Sequence, residues 1–184
     1  MGVLDGKRIA FVTSQRGVEE AELTKPWQAV IDAGATAVLL APESGEVQTV
    51  VHDEDKAGRY PVDKLIAQAD VADYDAVVLP GGTINADTLR LDKQAVAFVS
   101  EAVSRHLVVA AICHGPWALV EAGVVRGKTL TSYPSLRTDI SNAGGAWVDE
   151  DVRVDDSAGW TLITSRKPDD LPAFNAAILA QVAG

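Results

Sequence analysis

Short apolar runs alternate with amphipathic segments along almost the whole of this chain. Lys7 to Thr13 (Lys-Arg-Ile-Ala-Phe-Val-Thr) reads as a buried first strand. From Glu19 to Ala33, Leu23, Trp27, Val30 and Ile31 recur at helical spacing, and Gly34 stands where such a helix would end. Thr36 to Ala41 is a second strand. The polar stretch Ser44 to Tyr60, with Val47, Thr49 and Val51 alternating, predicts a short hairpin. Asp75 to Pro80 is a third buried strand, stopped by Pro80-Gly81-Gly82. A helix over about Thr88 to Arg105 leads into an apolar strand from Leu107 to Ile112, and a further helix begins at Trp117. Thr129 to Thr131 and Trp160 to Thr164 read as strands, Val148 to Val154 as an alternating hairpin arm, and Pro168 to Val182 as a terminal helix.

Near-continuous apolar strands between amphipathic helices predict a mostly parallel sheet covered on both faces, in a single α/β domain over residues 1–184. Such sheets bind ligands beyond the carboxyl ends of their strands. Thr13–Glu22, Pro80–Gly82 and Cys113–His114 all end at that edge, so an active site is expected where they meet.

Composition narrows the function without naming it. The 184 residues are 47% hydrophobic and 23% charged, an ordinary globular balance. With 26 acidic against 16 basic residues the net charge is −10, which argues against nucleic acid or an anionic membrane as partner. One cysteine allows no internal disulfide, and the first residues lack a signal-peptide pattern; both fit a cytoplasmic protein. One Cys and three scattered His (His52, His106, His114) offer no metal-ligand spacing, and no cofactor motif is present.

The candidate chemistry centres on Cys113, in the run Val108-Val-Ala-Ala-Ile-Cys-His-Gly-Pro-Trp117. A nucleophile between a buried strand and a helix start is exposed on a sharp turn, near N–H groups that favour a thiolate. Pro116 suits a first helical turn, and His114 is placed to act as a base or to orient one. A lone cysteine at a strand end is otherwise usually a packing residue. Leu79-Pro-Gly-Gly82 is either a plain turn or a site where the N–H of Gly82, with that of His114, binds a developing oxyanion. Glu19 and Glu22 share one face of the first helix; acids there commonly just complement the dipole.

In this order the motifs resemble the PfpI family of the class I glutamine amidotransferase-like superfamily, over nearly the whole chain. The family's aromatic-Glu-Asp-x-Glu pattern falls on Val18 to Glu22 with Pro26 beyond, its Leu-Pro-Gly-Gly on Leu79 to Gly82, and its Ile-Cys-His-Gly-Pro on Ile112 to Pro116. Ala122 to Lys128, Thr131-Ser-Tyr-Pro134, Asn142 to Gly144 and Trp147 to Asp149 also match. The resemblance implies a flavodoxin-like three-layer sandwich with a nucleophile elbow at Cys113, and a buried carboxylate facing the sulfur, Glu22 first and Glu19 second. It implies a pocket lined by Gly81, Tyr133 and Trp117. It also implies a homo-oligomer in which an acid after the Gly-Gly pair reaches the histidine of a neighbouring subunit. Here the corresponding loop is one residue longer, and its nearest acid is Asp87. No histidine follows His114, so the downstream His-x-Glu pair of a true amidotransferase is missing.

The implied activity is that of a stress-response cysteine hydrolase. Its substrates would be reactive carbonyls, methylglyoxal or early glycation adducts of amines, and it would need no cofactor. The alternatives are an intracellular cysteine peptidase and a non-catalytic protein that senses oxidation at Cys113. Cys113 is expected to titrate below a free thiol, with Glu22 partly protonated beside it.

Overall fold

The structure, a computed structural model, describes residues 2–184. Its first half comprises β1 (Arg8–Val12), β2 (Arg16–Glu19), α1 (Glu20–Asp32), β3 (Thr36–Ala41), β4 (Glu46–Val51), β5 (Asp55–Pro61), β6 (Lys64–Leu65), β7 (Ala76–Leu79), α2 (Thr83–Leu89) and α3 (Lys93–Ser104). Its second half comprises β8 (Val108–Ile112), α4 (Pro116–Glu121), β9 (Thr129–Leu130), α5 (Arg137–Asn142), β10 (Ala146–Trp147), β11 (Val152–Asp155), β12 (Leu162–Ser165) and α6 (Leu171–Ala183). Seven strands form one sheet in the order β11-β12-β8-β7-β1-β3-β6, parallel except for β11.

Alternation along the strands builds two cores. Ile9, Phe11, Val78, Ala110 and Ile112 point to the face covered by Leu23 and Val30 of α1 and Phe174 and Ile178 of α6. Ala10, Val12, Val77, Leu79, Val109 and Ala111 point to the other, against Phe98 and Val99 of α3 and Leu119 of α4. This is the predicted three-layer sandwich of flavodoxin type. The chain winds outwards in opposite directions from β1 and β7, and the crevice beside that switch point receives the ends of β1, β7 and β8.

Several elements differ from the sequence expectation. The helix expected over Thr88–Arg105 is two helices, because Asp92 caps α3 by accepting from the N–H groups of Gln94 and Ala95 at 2.9 Å each. α2 starts earlier, directly after Gly82. The hairpin in 44–60 is present as β4 and β5, and β2 joins it in a small separate sheet. The hairpin arm expected over Val148–Val154 is shorter than that: only Val152–Asp155 pairs with β12 in the main sheet, and the preceding Ala146–Trp147 pairs with β9.

Candidate active site

Cys113 adopts a left-handed backbone conformation, φ 61°, between β8 and α4. That conformation is strained for a residue with a Cβ, and it persists because the backbone is held on both sides. Its N–H donates to the Ser165 carbonyl at 3.0 Å, and its carbonyl accepts from Tyr133 at 2.8 Å. Gly115 N–H closes the turn onto the Ile112 carbonyl at 2.8 Å. The expected nucleophile elbow is therefore formed. It places the sulfur in a cavity of about 270 Å³ lined by Glu19, Glu22, His52, Asp53, Tyr133, Lys167 and Pro168.

Pro80-Gly81-Gly82 supplies the second wall, and both glycines are required. A Cβ on Gly81 would lie 2.3 Å from Glu22 Oε2 and 2.6 Å from Cys113 Cβ. Gly82 has φ 91°, and a Cβ there would sit 2.0 Å from the Gly17 carbonyl oxygen. This close approach turns the Gly82 N–H towards the Cys113 sulfur, as the His114 N–H is also turned. The two expected oxyanion donors thus converge on one point.

Glu22 is fully buried on α1, and its Oε2 accepts from the Gly81 N–H at 3.0 Å. Burial, reinforced by the neighbouring Glu19 charge, pushes its carboxyl up to about 8, despite the Cys113 and Gly81 hydrogen bonds that pull it down. The expected protonated acid beside the sulfur is borne out in direction. The expected lowering of the thiol is not. Burial, and then the charge of an ionised Glu22, push Cys113 up, against the pull of the Gly82 and His114 N–H groups. The two groups form one coupled system, because a proton on Glu22 removes the repulsion that holds the thiol neutral. Glu19 plays a different part from the sulfur-facing one held open for it. Its two carboxylate oxygens accept from the N–H groups of His52 and Asp53, each at 3.1 Å, and hold the turn between β4 and β5.

His114 Nδ1 lies 3.2 Å from Cys113 Sγ. Burial holds the imidazole below its ordinary value, opposed by the charge of Asp53. The Tyr133 ring stacks on it at 4.8 Å, and the Trp117 ring lies at 5.2 Å. Trp117 does not line the cavity as expected; its indole N–H donates to Asp139 at 2.8 Å. Gly81 belongs to the Gly-Gly wall but lies behind Glu22 and Cys113, without reaching the cavity surface.

Within the chain, Asp87 is exposed on α2 and makes no hydrogen bond to His114. Within this subunit the acid whose charge reaches His114 is Asp53, which the sequence reading missed, together with Thr83, Ser135 and the buried Asn85. Asn85 accepts from the Ser14 N–H at 2.7 Å and donates to the Pro80 and Gly81 carbonyls, tying β1 to the Gly-Gly turn. No local pattern links residue 53 to 83; the one hint was a Thr directly after the glycines.

Among the described residues, no group of three or more His, Cys, Asp or Glu side chains is arranged to hold a metal ion, and no helix is long and apolar enough to cross a membrane.

The chain is 37% identical over 169 residues to YraA of Bacillus subtilis, provisionally named a cysteine protease, covering 92% of this chain and 94% of that protein. It is 38% identical over 169 residues to protein/nucleic acid deglycase 2 of Escherichia coli, again covering 92% and 94%. The crystal structure of Drosophila melanogaster DJ-1beta superposes with a TM-score of 0.83 at 29% identity, covering 97% of this chain and 91% of that one. Residues 7–181, which carry the elbow, the Gly-Gly wall and the buried acid alike, match the DJ-1/PfpI family, and the chain belongs to it.

Proposed function

We propose that this protein is a cysteine-dependent enzyme acting on small reactive carbonyls, methylglyoxal and its early adducts with amines, through Cys113. One observation supports the reading above others. The Cys113 sulfur shares a small cavity with a buried acid that holds its proton near neutral pH, and two backbone N–H groups converge on it. Addition of the sulfur to an aldehyde carbon forms a C–S bond and turns the carbonyl oxygen into an oxyanion, which the N–H groups of Gly82 and His114 hold and Glu22 protonates. For methylglyoxal the net change is addition of one water. The aldehyde carbon rises to the carboxylate level and the adjacent carbonyl falls to an alcohol, giving a lactate-type acid without external oxidant or cofactor.

The name of the Escherichia coli relative points to the same substrate class. Peptide cleavage would use the same nucleophile but must also protonate an amine leaving group. His114 hydrogen-bonds to no carboxylate among the described residues, so that activity ranks second. We place the enzyme in the cytoplasm, on its lone cysteine and acidic charge.

Turnover of methylglyoxal, a methylglyoxal–amine adduct and a fluorogenic peptide by wild type and Cys113→Ala tests the reading. Dicarbonyl or adduct turnover that vanishes in Cys113→Ala is expected. Full activity in the variant refutes the mechanism; peptide hydrolysis alone reverses the ranking; inertness towards all three favours the redox-responsive role. The proposal includes a homo-oligomer, supported by the exposed Ile84 and Leu91 on and beside α2, with Asp87 near the interface. A monomer by light scattering at micromolar concentration overturns that part.

A further inference from the structure

An imidazole nitrogen that faces a neighbour able only to accept must carry the proton, and His114 Nε2 is in that position. Its Nε2 lies 3.5 Å from Thr83 Oγ1 and 3.3 Å from Ser135 Oγ. Thr83 has a single hydroxyl proton. That proton is committed, because Thr83 Oγ1 donates to Asp53 Oδ2 at 2.9 Å while the Thr83 N–H donates to Asp53 Oδ1 at 2.7 Å. A carboxylate only accepts, so Thr83 Oγ1 has nothing but lone pairs to offer His114.

From this we infer that Asp53, acting through Thr83, holds His114 as the Nε2–H tautomer and so leaves the Nδ1 lone pair aimed at the Cys113 thiol, 3.2 Å away. Asp53 is a positioning residue and His114 the base it prepares. The thiol proton passes to Nδ1 as the sulfur attacks, and the imidazolium formed is stabilised by the Asp53 charge behind Thr83. Ser135 fits as a second acceptor for the Nε2–H; were it a donor instead, Nε2 and Thr83 Oγ1 would face each other with lone pairs alone. The remaining groups around the ring, Tyr133 stacked on it and Trp117 tilted against it, meet it as aromatic rings and do not set the tautomer.

The arrangement is built rather than incidental. Asp53 and His52 both have left-handed backbones, φ 61° and 56°, and Glu19 accepts from both of their N–H groups. A strained two-residue turn is thus held in place by a buried acid, and its product is the position of the Asp53 carboxylate. This gives the site a Cys-His-Thr-Asp series within one subunit, independent of any acid from a neighbour.

The inference rests on the proposed cysteine chemistry for its purpose, but its test does not. Nitrogen-15 NMR of imidazole-labelled protein reports the tautomer directly, and with only three histidines His114 is assigned by its loss in His114→Gln. Wild type should show Nε2–H. Asp53→Asn keeps size and the bond to the Thr83 N–H but places an amide donor on Thr83 Oγ1; the Thr83 proton then turns to Nε2, and His114 switches to Nδ1–H. Thr83→Val should give a mixture, and Thr83→Ser should restore the wild-type spectrum. Alkylation of Cys113, the sole thiol, by iodoacetamide at pH 7 should slow at least about tenfold in Asp53→Asn and recover in Thr83→Ser. Wild-type His114 found as Nδ1–H, or an unchanged tautomer in folded Asp53→Asn, overturns the inference. A correct tautomer pattern in a protein inactive on every carbonyl substrate would leave the inference standing and remove the proposed function instead.

Discussion

Replacing Glu22 by Gln keeps the shape of a buried side chain and removes its charge, which makes it a direct measure of what the site costs the fold. In the unfolded chain this carboxyl titrates near 4.5, and in the folded protein near 8. A group raised on folding favours the native state while protonated in both states, below pH 4.5. That advantage is lost as pH rises to about 8 and changes no further above it. At about 1.4 kcal/mol per pH unit, the wild type loses on the order of 3 kcal/mol between pH 4.5 and 7, and about 5 kcal/mol by pH 9. The Glu22→Gln variant carries no such penalty. Its amide oxygen can still accept from the Gly81 N–H, and any fixed cost of burying the amide appears equally at every pH. Urea unfolding followed by tryptophan fluorescence should therefore show Glu22→Gln gaining on wild type by about 3 kcal/mol from pH 4.5 to 7, while carbonyl turnover falls because the proton donor is gone. A stability difference that stays constant from pH 4 to 8 would refute the raised carboxyl and the role built on it.

Two further outcomes follow from the packing. Gly81→Ala forces a methyl group against Glu22 Oε2, Cys113 Cβ and the Ile112 carbonyl, all within 2.9 Å. It should lower stability by about 1–3 kcal/mol and abolish carbonyl turnover; a variant with wild-type kcat/KM would show that the acid is free to move. Lys128 is fully buried, with its ammonium 3.4 Å from Asp155 Oδ1, 2.7 Å from the Trp160 carbonyl and also bonded to that of Ser157. Lys128→Met leaves the Asp155 carboxylate without its cation and should cost about 3–5 kcal/mol by urea denaturation; a loss below about 1 kcal/mol would show the pair to be dispensable.

Much of this protein is legible in the order of its residues, because the information is local. The apolar runs Ile9–Val12, Ala76–Leu79 and Val108–Ile112 can only be strands covered on both faces, so a parallel sheet with flanking helices follows from them. A cysteine after such a strand, and two glycines after another, mark the sheet edge where chemistry collects, and Glu22 stands at helical spacing to join them. The break at Asp92 escaped the pattern because one capping carboxylate outweighed the continuous periodicity of the 88–105 segment. What tertiary structure alone decided is the direction of each proton. Whether Cys113 is lowered or raised depends on how completely the fold excludes water around it and Glu22. The placement of Asp53 behind Thr83, beside His114, depends on a turn between β4 and β5 that meets the Gly-Gly loop only in three dimensions. Hydrogen bonds and charges act over a few ångströms, whatever the separation in sequence, and so only the folded chain brings such groups together.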